Sequence, residues 1–247
     1  EYRRQRQMCI RDSKTTISKH TVEKITKRCG RPHPFDVINP AKTALVVIDM
    51  QNHFVAPGFM AETPVARDIT PNINRLADEV RKMGGHVVWI QNITTGTRES
   101  WSNYHEYLLT PDRMAKRYAS MEIGAEGHKL WPLLDVRAED AKINKGRYSA
   151  FIQGSSDLEP HLRARGIDTL LIAGTATQVC CEATARDGCM LNFKTLMIDD
   201  ACATESDEMH SNSLNAFYQN FGDVQTVDEV IQSMQRGLKA AGQKGAA

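Results

Sequence analysis

Leu170-Leu171-Ile172-Ala173-Gly174-Thr175-Ala176-Thr177-Gln178-Val179-Cys180-Cys181-Glu182 is the stretch whose reading decides the fold. Residues 170–173 form a short apolar run bounded by turn chemistry, the pattern of a buried strand. Gly174 to Thr177 are small and polar, so the backbone can bend tightly there and come close to a ligand. From Gln178 the spacing becomes helical, with Ala183, Arg186, Asp187, Met190 and Leu191 recurring at three and four. Cys180 is therefore expected on the first turn of a helix that leaves the carboxyl end of a strand. Unpaired backbone N–H groups and the positive end of the helix dipole favour a thiolate there. The other reading of Cys180 is one more small apolar residue in a core, where most free cysteines sit.

On both sides of this stretch, apolar strand-like runs alternate with helical patterns, the signature of a parallel sheet covered on both faces. Strands are expected at 44–48, 86–90, 141–144, 194–198 and 224–226, and helices at 69–83, 158–165, 208–220 and 230–238. The stretch 94–127 carries Trp101, Tyr104, Tyr107 and Tyr118 among many charges. It reads as broken helices and loops, suited to substrate specificity or subunit contacts. The fold class is α/β, a doubly wound, mostly parallel six-stranded sheet. One domain is expected at 37–238, after a basic stretch at 14–36 that reads as a lead-in arm or short helix and before a disordered tail at 239–247.

Charge and cysteine usage narrow the class. Residues 3–13, Arg3-Arg4-Gln5-Arg6-Gln7-Met8-Cys9-Ile10-Arg11-Asp12-Ser13, look like one reading frame through a sequencing adapter, as in an environmental sequence assembly, so 1–13 are left out of fold reasoning. Without them, 31 basic and 30 acidic residues become 27 and 28, and the basic arm is no argument for nucleic acid. No run reaches the roughly 18 apolar residues of a membrane span. Cys29, Cys180, Cys181, Cys189 and Cys202 then remain, with no CxxC pair, which is reduced, cytoplasmic usage.

In open parallel sheets ligands bind beyond the carboxyl ends of the strands, where strand order reverses. Asp49, Lys145 and Cys180 are all expected at such ends. Singly, an Asp after a strand often caps the next segment, and a Lys there is usually a solvated charge. Together an acid, a cation and a thiol make a complete nucleophilic site.

Three ordered blocks carry a resemblance: Val46-Val47-Ile48-Asp49-Met50-Gln51-Asn52, Asn144-Lys145-Gly146-Arg147-Tyr148-Ser149-Ala150-Phe151, and Gly174-Thr175-Ala176-Thr177-Gln178-Val179-Cys180. They resemble the isochorismatase-like cysteine hydrolases, over about residues 35–234. The resemblance implies an Asp49–Lys145–Cys180 triad and a cis Thr175–Ala176 peptide, with the Ala176 and Cys180 N–H groups as oxyanion hole. Cys181 is assigned to helix packing. It also implies acyl transfer through a thioester, with Lys145 and the helix N-terminus lowering the Cys180 pKa. Trp89-Ile90-Gln91-Asn92 lacks the Asp and His cluster of metal-binding members, so no metal and no cofactor is expected. This segment and Gly146 to Ser149 are closer to ureidoacrylate amidohydrolase and related ureide or carbamoyl-amide hydrolases. Two departures stand against that subgroup: the 94–127 insertion has no match in it, and Gln178 replaces the usual Asn or Asp. Asn92, Tyr148 and Phe151 are candidates for the pocket wall, each equally a candidate for core packing. The expected partner is a small amide or ureide, with no nucleic acid and no membrane, in a dimeric or tetrameric homo-oligomer. Vinyl-ether hydrolysis, which needs no thiol, and a redox-sensing scaffold are the other readings.

Overall fold

The computed structural model describes residues 17–244. Its centre is a six-stranded sheet built from β1 (Thr43–Ile48), β2 (His86–Asn92), β3 (Ala141–Lys145), β4 (Thr169–Thr175), β5 (Lys194–Ala203) and β6 (Asp223–Gln225). The order is β3-β2-β1-β4-β5-β6, and every neighbouring pair is parallel. The chain starts in the middle, winds out to β3, then crosses back to lay β4 against β1 and winds out to β6. The reversal point is therefore between β1 and β4.

β1 and β4 are buried along their whole length, which is why both read as unbroken apolar runs rather than alternating ones. Their side chains still alternate between layers. Leu45, Val47 and Leu171 face one core with Ile73, Leu76 and Val80 of α3 (Thr70–Lys82) and Met234 of α9 (Val227–Lys244). Ala44, Val46, Leu170 and Ile172 face the other. There they meet α1 (Lys19–Cys29), α6 (Leu158–Arg163), α7 (Glu182–Met190) and α8 (Asp207–Asn220) through Ile25, Leu162, Ala185 and Phe217. Among the described residues no helix is long and apolar enough to cross a membrane.

Two boundaries differ from the sequence expectation, whereas the short helix of the arm and the broken helices of 94–127 agree with it. β5 runs on to Ala203, because a register shift opposite Ile172 and Gly174 lets the strand absorb the polar Asp199-Asp200 pair and resume pairing at Cys202. α9 continues to Lys244 through residues expected to form a tail; Ala, Gln and Lys are good helix formers. Within 17–36, α1 is a capped helix, with Ser18 Oγ accepting from Thr21 N at 3.1 Å. The 94–127 stretch contains α4 (Ser102–Tyr107) and α5 (Pro111–Met121), and a short α2 (Asn52–Val55) follows β1. The adapter-like residues 1–13 lie outside the described residues.

The switch point depends on close backbone contact. Gly174 has φ +115° and pairs with Ile48, and a Cβ there would lie 2.1 Å from the Ile48 carbonyl oxygen. Gly174→Ala is expected to cost about 3 kcal/mol or more, or to prevent folding, because it combines a left-handed conformation with a backbone clash. Gly242→Ala, on α9 with nothing within 4 Å of the new methyl, should be neutral or stabilising by up to about 1 kcal/mol. Urea unfolding of both variants measures the contrast.

Candidate active site

Three strand ends converge on one buried cluster. Asp49 directly follows β1 and takes φ +53°, unusual for a residue with a side chain. Its N–H donates to the Ile90 carbonyl at 3.0 Å, which carries the pairing of β1 with β2 one residue past the strand. Lys145 is the last residue of β3, two strands away. Its Nζ donates to Asp49 Oδ2 at 2.8 Å and to the Arg147 carbonyl at 3.0 Å. Both side chains are fully buried. The second carboxylate oxygen, Oδ1, is buried and has no hydrogen-bond partner among the described residues.

Cys180 is 5 % exposed and does not stand on the first turn of an α-helix. After β4 the Thr175–Ala176 peptide is cis, and residues Thr177–Cys181 form a π-type turn before α7 begins at Glu182. The expected lowering of the thiol pKa is also not found. Burial pushes the Cys180 thiol up to about 12; Lys145 pulls it down and Asp49 pushes it further up. Burial wins because desolvating a thiolate costs more here than one lysine, already committed to a carboxylate, returns. Burial alone would lower the Lys145 ammonium, but Asp49 and the Cys180 sulfur outweigh it and leave Lys145 above the ordinary lysine value. The resting site is thus a neutral thiol beside an Asp49–Lys145 ion pair.

Two polar chains hold this arrangement, and neither was visible in the sequence. Gln51 Nε2 donates to the carbonyls of Asn92 and His128, each at 3.0 Å, and its Oε1 accepts from Asn92 N at 2.7 Å. That amide clamps the end of β1 to the end of β2. Behind Cys180, Thr177 Oγ1 lies 2.9 Å from His210 Nδ1, and His210 Nε2 lies 2.8 Å from Asp199 Oδ1. The π-type turn is so tied to α8 and to the bulged part of β5.

A cavity of about 340 Å³ opens over the cluster, lined by Cys180, Ala176, Asn92 and Tyr148 among others. Asn92 presents an amide whose nitrogen and oxygen are both buried and unpaired. Burial and the neighbouring Tyr104 push the Tyr148 phenol well above the usual tyrosine range, so it stays protonated. Phe151 is not part of this wall. It stacks on Phe193 with centroids 5.6 Å apart and packs into the core, so its role is structural. Cys181 is fully buried at the sheet, its Sγ 3.9 Å from the Ala173 carbonyl. Tyr104, Arg113 and Arg117 come to the cavity from the 94–127 insertion, and no short-range sequence pattern marks them. Among the described residues no group of three or more His, Cys, Asp or Glu side chains is placed to hold a metal ion.

Residues 43–229 match the isochorismatase domain family. The chain is 33 % identical over 186 residues to ureidoacrylate amidohydrolase RutB of Caulobacter vibrioides, covering 70 % of this chain and 81 % of that protein. Among solved structures, a cysteine hydrolase from Pseudomonas syringae pv. phaseolicola superposes with a TM-score of 0.69 at 28 % identity, covering 81 % of this chain and 95 % of that one. N-carbamoylsarcosine amidase from Thermoplasma acidophilum gives 0.59 at 25 % identity, covering 76 % and 97 %.

The thiol environments yield a test by alkylation. Iodoacetamide labelling of Cys180 in the free protein is expected to keep rising with pH beyond about 10, where an ordinary cysteine, with a pKa of about 8.5, has levelled off. Cys181→Ala should leave that profile in place and cost roughly 1 kcal/mol or more of stability through lost packing. Peptide mapping across a pH series reads the first; a plateau near the ordinary thiol value would contradict it. Urea unfolding reads the second.

Proposed function

The chain belongs to the isochorismatase family, and from that premise we propose a cysteine hydrolase that cleaves a C–N bond of a small amide, ureide or carbamoyl compound through a thioester on Cys180. The observation that carries this reading is the division of labour at Asp49: Oδ2 holds Lys145, and Oδ1 is left unpaired in the buried cluster with the thiol. An amidohydrolase relative and a carbamoyl-amidase neighbour support the C–N bond as the target.

As the carbonyl carbon reaches Cys180, Asp49 Oδ1 takes the thiol proton and sulfur attacks. The carbonyl electron pair moves onto oxygen, and the N–H groups of Ala176 and Cys180 hold that oxyanion. When the intermediate collapses, the C–N bond breaks and Asp49 returns its proton to the leaving nitrogen. A water then gives a proton to Asp49 and attacks the thioester, releasing the acid and restoring the thiol. Lys145 keeps its proton throughout and fixes the carboxylate in place. The unpaired Asn92 amide can meet the N–H and C=O of an amide or ureide, leaving neither of its own groups unsatisfied.

Ammonia release from a panel of amides and ureides tests the proposal. Cys180→Ser and Asp49→Asn should each lower turnover by about 10³-fold or more, and acid quenching should trap an acyl group on Cys180. Activity should survive exhaustive chelation. Undiminished turnover by Cys180→Ser would overturn the thioester, and loss on chelation that zinc restores would overturn the metal-free site.

A further inference from the structure

We propose that His210, held by Asp199, is a positioning residue for the cavity: through Thr177 it fixes the turn that carries the thiol and the N–H groups assigned to the oxyanion. As a statement about catalysis, this rests on the hydrolase reading above. The turn Thr177–Cys181 stands between β4 and α7, and its residues part in two directions. Ala176, Gln178, Val179 and Cys180 line the cavity, whereas Thr177 and Cys181 are fully buried beneath it. The Ala176 carbonyl closes the turn, accepting from Val179 N at 3.1 Å and Cys181 N at 3.3 Å. Thr177 follows Ala176 directly, so whatever holds Thr177 also limits where Ala176 can lie.

The hydroxyl of Thr177 meets one ring nitrogen of His210, and the other meets Asp199. A carboxylate oxygen only accepts, so His210 Nε2 carries the proton of that bond, and the ring is fixed in place and in rotation. Hydroxyl, imidazole and carboxylate in a row are the parts of a nucleophilic triad. Here they do not serve as one, since Thr177 is 0 % exposed and takes no part in lining the cavity. Facing away from the substrate, the chain of contacts acts on geometry.

The layer beneath the turn shows why apolar packing alone does not do this. Leu214 and Phe217 of α8 pack there with Cys180, Cys181 and Ala185. Apolar contact is non-directional, whereas two hydrogen bonds in series set both distance and direction. Buried polar groups are costly unless paired, and Thr177 and His210 are paired at every side-chain polar atom. α8 reaches the far end of the turn as well. Ser213, three residues after His210 and on the same helix face, donates from Oγ to Glu182 Oε2 at 2.6 Å. Asp199 in turn belongs to β5, the strand that pairs with Gly174 and Thr175 just before the turn. The contacts thus close back on the strand end from which the turn leaves.

Oxyanion donors act as charge develops on the carbonyl oxygen, so a displaced turn should lower kcat more than it raises KM. The thiol gives a second readout. Burial is the first cause of its raised pKa, so a turn free to shift towards the cavity would rehydrate the sulfur and lower that value. Asp49, Lys145, Tyr148 and Cys181 are the titratable groups that act on the sulfur, and the substitutions below leave all four in place.

The test uses Thr177→Val, Thr177→Ser and Asp199→Ala in the full chain, reading kcat, KM and the pH profile of Cys180 alkylation by iodoacetamide. Thr177→Val keeps the shape and removes the hydroxyl. It should lower kcat about tenfold or more, with KM within about threefold. Its labelling profile should move towards that of an ordinary thiol, with a pKa of about 8.5. Thr177→Ser, which keeps the hydroxyl, should restore both. Asp199→Ala, at the most exposed end of the chain of contacts, should move both readouts in the same direction even if Thr177→Val does not fold. A merely structural His210 would lower the urea midpoint of Thr177→Val and leave kcat per folded chain and the labelling profile unmoved. That result overturns the proposal, as does an equal loss in Thr177→Ser, or, in a chain that turns over, a change in one readout without the other. Turnover of the unaltered chain is the independent arm. A shifted profile in a chain that hydrolyses no amide or ureide keeps the positioning of the thiol and removes the hydrolase reading, whereas turnover unmoved by Thr177→Val does the reverse.

Discussion

The ion pair between Asp49 and Lys145 is the constraint on which the rest of the site depends. It joins the ends of β1 and β3 across the intervening β2, and both charges are shut away from water. Desolvating two charges costs several kcal/mol per ion, and attraction offsets this only when geometry and further hydrogen bonds are good. Lys145 meets that condition with a carboxylate and a carbonyl; Asp49 does not, since one oxygen is left bare. The fold therefore has to hold Asp49 in place by other means. The Gln51 clamp and the backbone bond from Asp49 to Ile90 do so, at the cost of a left-handed residue. An oxygen kept unsatisfied this way can accept a proton without first breaking a bond.

The same burial governs the thiol. A cysteine with a depressed pKa would rest as a thiolate, open to oxidants and alkylating agents. Here burial raises the thiol instead, and in the proposed mechanism a nucleophile forms only when a proton acceptor and an electrophile are both at hand. The lysine's shift has the opposite sign in its effect on stability. Because the folded Lys145 sits above the unfolded value, its contribution is complete below the unfolded lysine pKa and is lost as pH rises through the folded one. Over neutral pH Lys145 therefore keeps its charge.

Much of this was legible in the chain, and what was not has physical reasons. Strands buried on both faces announce themselves as unbroken apolar runs, so β1 and β4 were plain. Titratable residues just past such runs fall at one edge of a parallel sheet, which is why Asp49, Lys145 and Cys180 could be grouped before any geometry was known. The extension of β5 was hidden because a bulge places Asp199 and Asp200 inside a strand, breaking the apolar pattern. Helical spacing around Cys180 could not distinguish an α-helical start from a π-type turn, since the recurring residues from Ala183 to Leu191 lie beyond the turn at Thr177–Cys181. His210 and Gln51 act through contacts 11 to 77 residues away and Arg117 meets the ring of Tyr104, so no local signal marks their roles. Phe151 shows the converse failure: it sits six residues after Lys145, yet its ring turns into the core.

The site also divides by where its parts come from. Asp49, Lys145 and Ala176 stand at strand ends and Cys180 in the turn that follows β4, all positioned by the sheet. Tyr104, Arg113 and Arg117 come from short helices in an insertion between β2 and β3. Strand ends cannot move without disturbing the cores on both faces, whereas α4 and α5 can change in sequence or placement with little effect on the sheet. Chemistry that tolerates only small errors in geometry belongs on the first set. Recognition of the rest of a ligand suits the second, where one side chain exchanged for another changes the cavity lining and leaves the Asp49–Lys145–Cys180 cluster untouched.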